Sequence, residues 1–143
     1  MKRVMVFGTF DMLHKGHINF LEQAKKCGDE LVVVVARNSN VKEIKGAEPL
    51  HNMEERIESV KGLKIADKVI AGKKGNYFDI VWEESPDLIC LGYDQESRGI
   101  EKAIKDKIGN ESKSKEIGVI RLKPYKADKY KTTLLRDYKL KRL

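Results

Sequence analysis

Residues Leu31 to Ala36 read LVVVVA, an apolar run with four consecutive valines and no polar residue inside it. A strand with one face in water alternates apolar and polar side chains. An unbroken β-branched run instead belongs to a strand covered on both faces, and such strands occur in parallel sheets. Parallel neighbours require crossover connections, so the flanking sequence should supply helices. Before this run, Met1 to Phe7 (MKRVMVF) reads as a short strand running into Gly8. Between the two, Ile18, Leu21, Ala24 and Cys27 recur at intervals of three along Gly16–Cys27, which marks one face of a helix, and Gly28 stands where a helix stop belongs.

After the valine run, the polar stretch Arg37–Pro49 is expected to be largely loop. NMEERIESVKG then reads as a helix with Asn52 as its N-cap. DKVIAG gives a strand, NYFDIVWEES a helix with Ile80 and Val81 facing inward, and PDLICLGYD a further buried strand. Gln95–Ile108 is expected as a polar helix, EIGVIRL as a last strand and Thr132–Arg142 as a basic terminal helix. Alternation of this kind predicts an α/β fold: a Rossmann-like, doubly wound, mainly parallel five-stranded sheet with helices on both faces.

At 143 residues the chain fits a single domain, 1–143, with the basic segment 121–143 as part of it. No apolar run is long enough to cross a bilayer and no secretory signal precedes the first strand, so a cytoplasmic location and no membrane partner are expected. Cys27 and Cys90 lack CxxC spacing and sit in apolar periodic contexts, which suits buried reduced thiols. The formal charge of +7 is uneven: residues 121–143 hold nine basic and two acidic residues, and the rest of the chain is balanced. Such a tail suits a polyanion or a small phosphorylated ligand.

In an open α/β sheet, ligands bind beyond the carboxyl ends of the strands where the strand order reverses. The segment leaving the first strand is GTFDMLHKGH, Gly8 to His17, which holds two of the three histidines in the chain. Gly8 permits a close backbone approach, Gly16 keeps the helix entrance open, and a helix N-terminus favours an anion. Imidazoles three residues apart project from the same side of such a turn, each able to donate to phosphate oxygens. Neither G-x-G-x-x-G nor G-x-x-x-x-G-K-[ST] occurs, which disfavours a dinucleotide oxidoreductase and a P-loop NTPase. The absence of HExxH, and of a Cys or Glu ligand near the histidine pair, leaves no expected protein metal site.

GTFDMLHKGH resembles the H-x-G-H signature of the cytidylyltransferase-like nucleotidyltransferases, a superfamily that includes glycerol-3-phosphate cytidylyltransferase, phosphopantetheine adenylyltransferase and the archaeal FAD synthetases. VVVARNSNVKEIKG, EERIESV and LGYDQ are most similar to archaeal-type FAD synthetase, with glycerol-3-phosphate cytidylyltransferase second. The resemblance implies transfer of AMP from ATP to the phosphate of FMN, with a divalent cation, magnesium, as cofactor and a homodimer as the assembly. The alternative is a CTP-dependent cytidylyltransferase acting on glycerol 3-phosphate or a similar phosphorylated alcohol. It implies catalytic roles for His14, His17 and Lys45, with Lys42 nearby. Nucleotide contacts are implied at Thr9, Phe10, Lys15, Gly16, Asp94 and Tyr125, and a phosphate-neutralising or site-ordering role at Arg56. Thr132 and Thr133 stand where relatives carry an Ile-Ser-Ser/Thr-Thr-like run, here without the Ile-Ser. Tyr93, Phe78 and Trp82 are available as walls for a flavin ring.

A reading of another class is a basic RNA- or DNA-binding module, supported by Tyr125, Tyr130 and Tyr138 interleaved among lysines. It leaves the histidine pair unexplained, so no nucleic-acid partner is expected.

Overall fold

The computed structural model describes residues 2–38, 49–73, 79–92 and 117–123. Among these residues five strands form one sheet: β1 (Arg3–Gly8), β2 (Glu30–Val35), β3 (Lys68–Ala71), β4 (Leu88–Leu91) and β5 (Gly118–Arg121). Their order is β3-β2-β1-β4-β5, and every pairing is parallel. Three helices lie among the described residues: α1 (Lys15–Lys25), α2 (Met53–Gly62) and α3 (Asp79–Glu84).

The valine run behaves as its composition demands. Leu31 through Val35 are each fully buried, because β2 is flanked by β1 and β3 and covered on both faces. Alternation sorts its side chains to two cores. Leu31, Val33 and Val35 join Val4, Val6, Leu21, Ala24 and Val60 on the α1/α2 face, while Val32 and Val34 join Met5, Phe7, Ile80 and Val81 on the α3 face. The fold is therefore doubly wound. Edge strands β3 and β5 are only partly buried, as edges must be.

Gly28 answers a different need from the one its position suggested. The helix ends at Lys25 with Lys26 as C-cap in ordinary right-handed backbone. A Cβ on Gly28 would stand 2.7 Å from Val4 Cγ2 and 2.8 Å from the Lys2 carbonyl oxygen, so the residue is small because the chain runs tight against β1. Cys27 and Cys90 are free thiols, the first half-buried and the second buried. Burial in the apolar core, with Cys27 adding to it, pushes the Cys90 thiol up to about 12. The expected helices at Gln95–Ile108 and Thr132–Arg142 lie outside the described residues.

The strand order reverses between β1 and β4. From β1 the chain moves outward to β2 and β3, then returns across the sheet to β4 and β5. The carboxyl end of β1, where the histidine pair begins, borders that reversal point, which is where open α/β sheets hold ligands.

Candidate active site

Helix α1 opens on its histidines. His14 is the N-cap, and its Nδ1 accepts the Gly16 N–H at 3.0 Å, while His17 Nδ1 accepts the His14 N–H at 3.2 Å. The usual capping box pairs a Ser or Thr with a Glu or Gln; here two imidazoles do both jobs. The rings lie side by side with centroids 4.0 Å apart and planes 39° apart, so the spacing does place them on one side of the turn.

Capping also sets their chemistry. A neutral imidazole carries one N–H, and a nitrogen that accepts an amide proton must be the bare one. With Nδ1 accepting in both rings, each neutral ring carries its proton on Nε2. The pair thus forms two donors of fixed tautomer at the positive end of a helix. The expectation of open backbone amides there needs correction: the Gly16 N–H is taken by His14 Nδ1, and the His17 N–H bonds the His14 carbonyl at 3.0 Å. Part of the anion-binding capacity assigned to the backbone is therefore already used. Lys15 is exposed and Gly16 half-buried beside them.

Beneath the pair lies Phe10, whose ring is buried and tilted against His17 with centroids 5.8 Å apart. Its side chain belongs to the α1/α2 core, so a nucleotide contact at this position would fall to its backbone. The backbone is left-handed, with φ at 53°, which costs a residue with a side chain about 1–3 kcal/mol. Gly8 makes the arrangement possible. A Cβ there would sit 2.6 Å from Phe10 Cε2 and 2.7 Å from Cζ, so the ring occupies the space a side chain would need.

Arg56 is fully buried on α2. Its Nη1 donates to the Thr9 carbonyl at 2.9 Å, its Nε to the His51 carbonyl at 3.0 Å and its Nη2 to Asn38 Oδ1 at 2.7 Å. Burial pushes its pKa down from the ordinary arginine value, opposed by the charges of Asp11 and Glu54. Three of the guanidinium's donors go to protein oxygens, a geometry that favours, of the two roles implied for Arg56, site ordering over phosphate contact. Thr9 is buried and tied to it through its carbonyl.

Asp11 was missed as a site residue. It is buried, and its carboxylate accepts the Leu50 N–H at 2.7 Å and the His51 N–H at 2.8 Å. The ring of His51 also leans on it, with Nδ1 3.0 Å from the Asp11 carbonyl oxygen and 3.2 Å from Oδ1. Its local signal is the aspartate of G-T-F-D itself, which names no partner because its partners lie some forty residues away.

Lys42, Lys45, Asp94, Tyr125, Thr132 and Thr133 lie outside the described residues, as do Phe78 and Tyr93. Trp82 is half-buried against the α3-side core. Among the described residues no group of three His, Cys, Asp or Glu is arranged to hold a metal ion, and no helix is long and apolar enough to cross a membrane.

A histidine pair thus caps the first helix of a doubly wound sheet beside its reversal point. A family model described as cytidylyltransferase-like matches residues 5–137, and the chain belongs to that family of nucleotidyltransferases. The FAD synthase of Thermococcus sibiricus is 44% identical over 133 residues, covering 92% of this chain and 87% of that protein. The FAD synthase of Aciduliprofundum boonei is 43% identical over 125 residues, covering 87% and 80%. A crystal structure of a protein from Thermoplasma volcanium, described as a lipopolysaccharide core biosynthesis protein, aligns with a TM-score of 0.77 at 39% identity, covering 87% of this chain and 98% of that one.

Proposed function

We propose that the chain is an FMN adenylyltransferase: it transfers AMP from ATP to the phosphate of FMN, giving FAD and pyrophosphate. An oxygen of the FMN phosphate attacks the α-phosphorus of ATP in line. A new P–O–P bond forms, the bond between the α-phosphorus and the bridging oxygen breaks, and pyrophosphate leaves. The attacking group is already an anion, so no enzyme nucleophile is needed. The protein must bring two anions together, align them and stabilise charge on the transferring and leaving oxygens.

The observation that carries this reading is the reciprocal Nδ1 capping of His14 and His17, which makes Nε2 the protonated nitrogen of each neutral ring. Two donors of known tautomer at a helix N-terminus suit phosphate oxygens whose charge rises in the transition state. In the same reading Lys45 and Lys42 approach from the segment after β2, Lys15 and Gly16 border the triphosphate, and Asp94 and Tyr125 contact the nucleotide. Thr132 and Thr133 bind phosphate, and the basic segment 121–143 lowers the potential that both anions meet. A divalent cation, magnesium here, would be carried in on the triphosphate and neutralise its oxygens. The working unit is one domain, 1–143, assembled as a homodimer in the cytoplasm.

The test is pyrophosphate release with magnesium over ATP and CTP, each against FMN and glycerol 3-phosphate. Turnover with ATP and FMN is expected. Turnover confined to CTP and glycerol 3-phosphate would replace this reading with the cytidylyltransferase one.

A further inference from the structure

Phe10 stands in left-handed backbone although it is neither glycine nor asparagine, and its ring lies under His17. A conformation of that kind persists only where its surroundings over-determine it, and such positions gather at functional sites. Here both chain neighbours of Phe10 are held, and by the same distant segment. On one side Arg56 Nη1 takes the Thr9 carbonyl at 2.9 Å; on the other the Leu50 and His51 amides take the two carboxylate oxygens of Asp11 at 2.7 and 2.8 Å. His51 is itself gripped at both ends of its backbone, its N–H by Asp11 and its carbonyl by Arg56.

We propose that Asp11 is a positioning residue for nucleotidyl transfer: by anchoring the β1–α1 turn to residues 50–51, it holds Phe10 in its left-handed state and, through that ring, sets where His17 and its partner His14 stand. Asp11 touches no reacting atom in this account. It acts because a buried carboxylate bonded to two backbone amides is a short, charge-assisted and rigid tie. The inference rests on the reading of the two imidazoles as donors to phosphate oxygens.

Asp11→Asn tests it. The amide keeps one acceptor oxygen but sets an NH2 group against a backbone N–H, so one tie is lost at almost unchanged volume. Misplacing catalytic groups by an ångström costs about a hundredfold, so kcat should fall by about tenfold to a hundredfold. KM for ATP should move by less than about threefold, because an interaction made mainly in the transition state affects kcat. Asp67→Asn is the matched control: Asp67 also accepts a backbone amide, from Leu31, but at the opposite end of the sheet, and kcat should stay within about twofold of wild type. Leu50→Pro deletes one of the amide donors from an exposed position and covers the case in which Asp11→Asn fails to fold; it should lower kcat in the same direction.

A second readout does not depend on the acceptor. Ring-nitrogen NMR signals of His14 and His17 should shift or broaden in Asp11→Asn or Leu50→Pro and stay in place in Asp67→Asn. Unmoved ring signals, or a kcat loss no larger than that of Asp67→Asn per folded molecule, would overturn the proposal. A wild-type protein inert toward FMN would count against the proposed reaction, while the ring signals would still decide this inference.

Discussion

Replacing Arg56 with lysine keeps a cation and separates ordering from phosphate contact. The guanidinium of the fully buried Arg56 reaches three oxygens at 2.7 to 3.0 Å from one planar fork, the Thr9 contact buried and the other two part-buried. A lysine ammonium is a single nitrogen and cannot span the Thr9, His51 and Asn38 oxygens together. At least one acceptor, and on geometric grounds two, would be left unpaired. Each orphaned buried group costs about 1–3 kcal/mol, and because the contacts to His51 and Asn38 are only part-buried a loss of about 2–4 kcal/mol is expected. At roughly 3 °C per kcal/mol for a domain of this size, Tm should fall by roughly 6–12 °C. The total stability of a domain this long is about 10 kcal/mol, so the variant should still fold at 25 °C. Thermal unfolding followed by circular dichroism gives the first number, and KM for ATP measured well below Tm gives the second. Unchanged Tm with a tenfold rise in KM would mean that the guanidinium meets phosphate, and the ordering role would fail.

Removing an imidazole should act on both chemistry and folding. His17→Ala is expected to lose about a hundredfold to a thousandfold in turnover and, because His17 Nδ1 accepts the His14 amide, to drop about 1 kcal/mol of capping, or roughly 3 °C; near-normal turnover would remove this ring from the mechanism. Gly8→Ala pushes a methyl group into the Phe10 ring from 2.6 Å, an overpacking that should cost about 1–3 kcal/mol, seen as a lower Tm, and an unshifted Tm would show that the ring can move aside freely. The Asp67 carboxylate is held below the usual aspartate range by Lys25 and by the Leu31 amide. A depressed folded pKa gives stability that is present above the unfolded value and is lost as pH falls through the folded one. The Tm gap between wild type and Asp67→Asn should therefore be full at neutrality and close below about pH 4, and a gap that widens in acid would contradict the assignment.

What could be read from the chain alone follows from how local each signal is. The β-branched run of β2, the apolar spacing of α1 and the Asn52 cap of α2 depend on neighbours within a few residues, and all three stand where the pattern put them. Boundaries moved by a residue or two, as at α1, where Cys27 lies past the end of the helix. The histidine pair was legible because its geometry is set within one helical turn. Arg56 was legible as a basic residue of the proposed site but not in its direction, since a sequence does not say which way a guanidinium faces. Asp11 stayed hidden for a related reason. Its partners are backbone amides 39 and 40 residues on, and amides carry no residue-type signature.

Buried opposite charges that join the β1–α1 turn to residues 50–51 and to the first turn of α2 bind two distant stretches of chain into one heritable part. A chimera that grafts Gly8–His17 from a relative onto this scaffold, leaving residues 50–56 behind, would bring carbonyls and a carboxylate to partners shaped for another loop. Exchange of specificity within the family should therefore succeed when both stretches travel together.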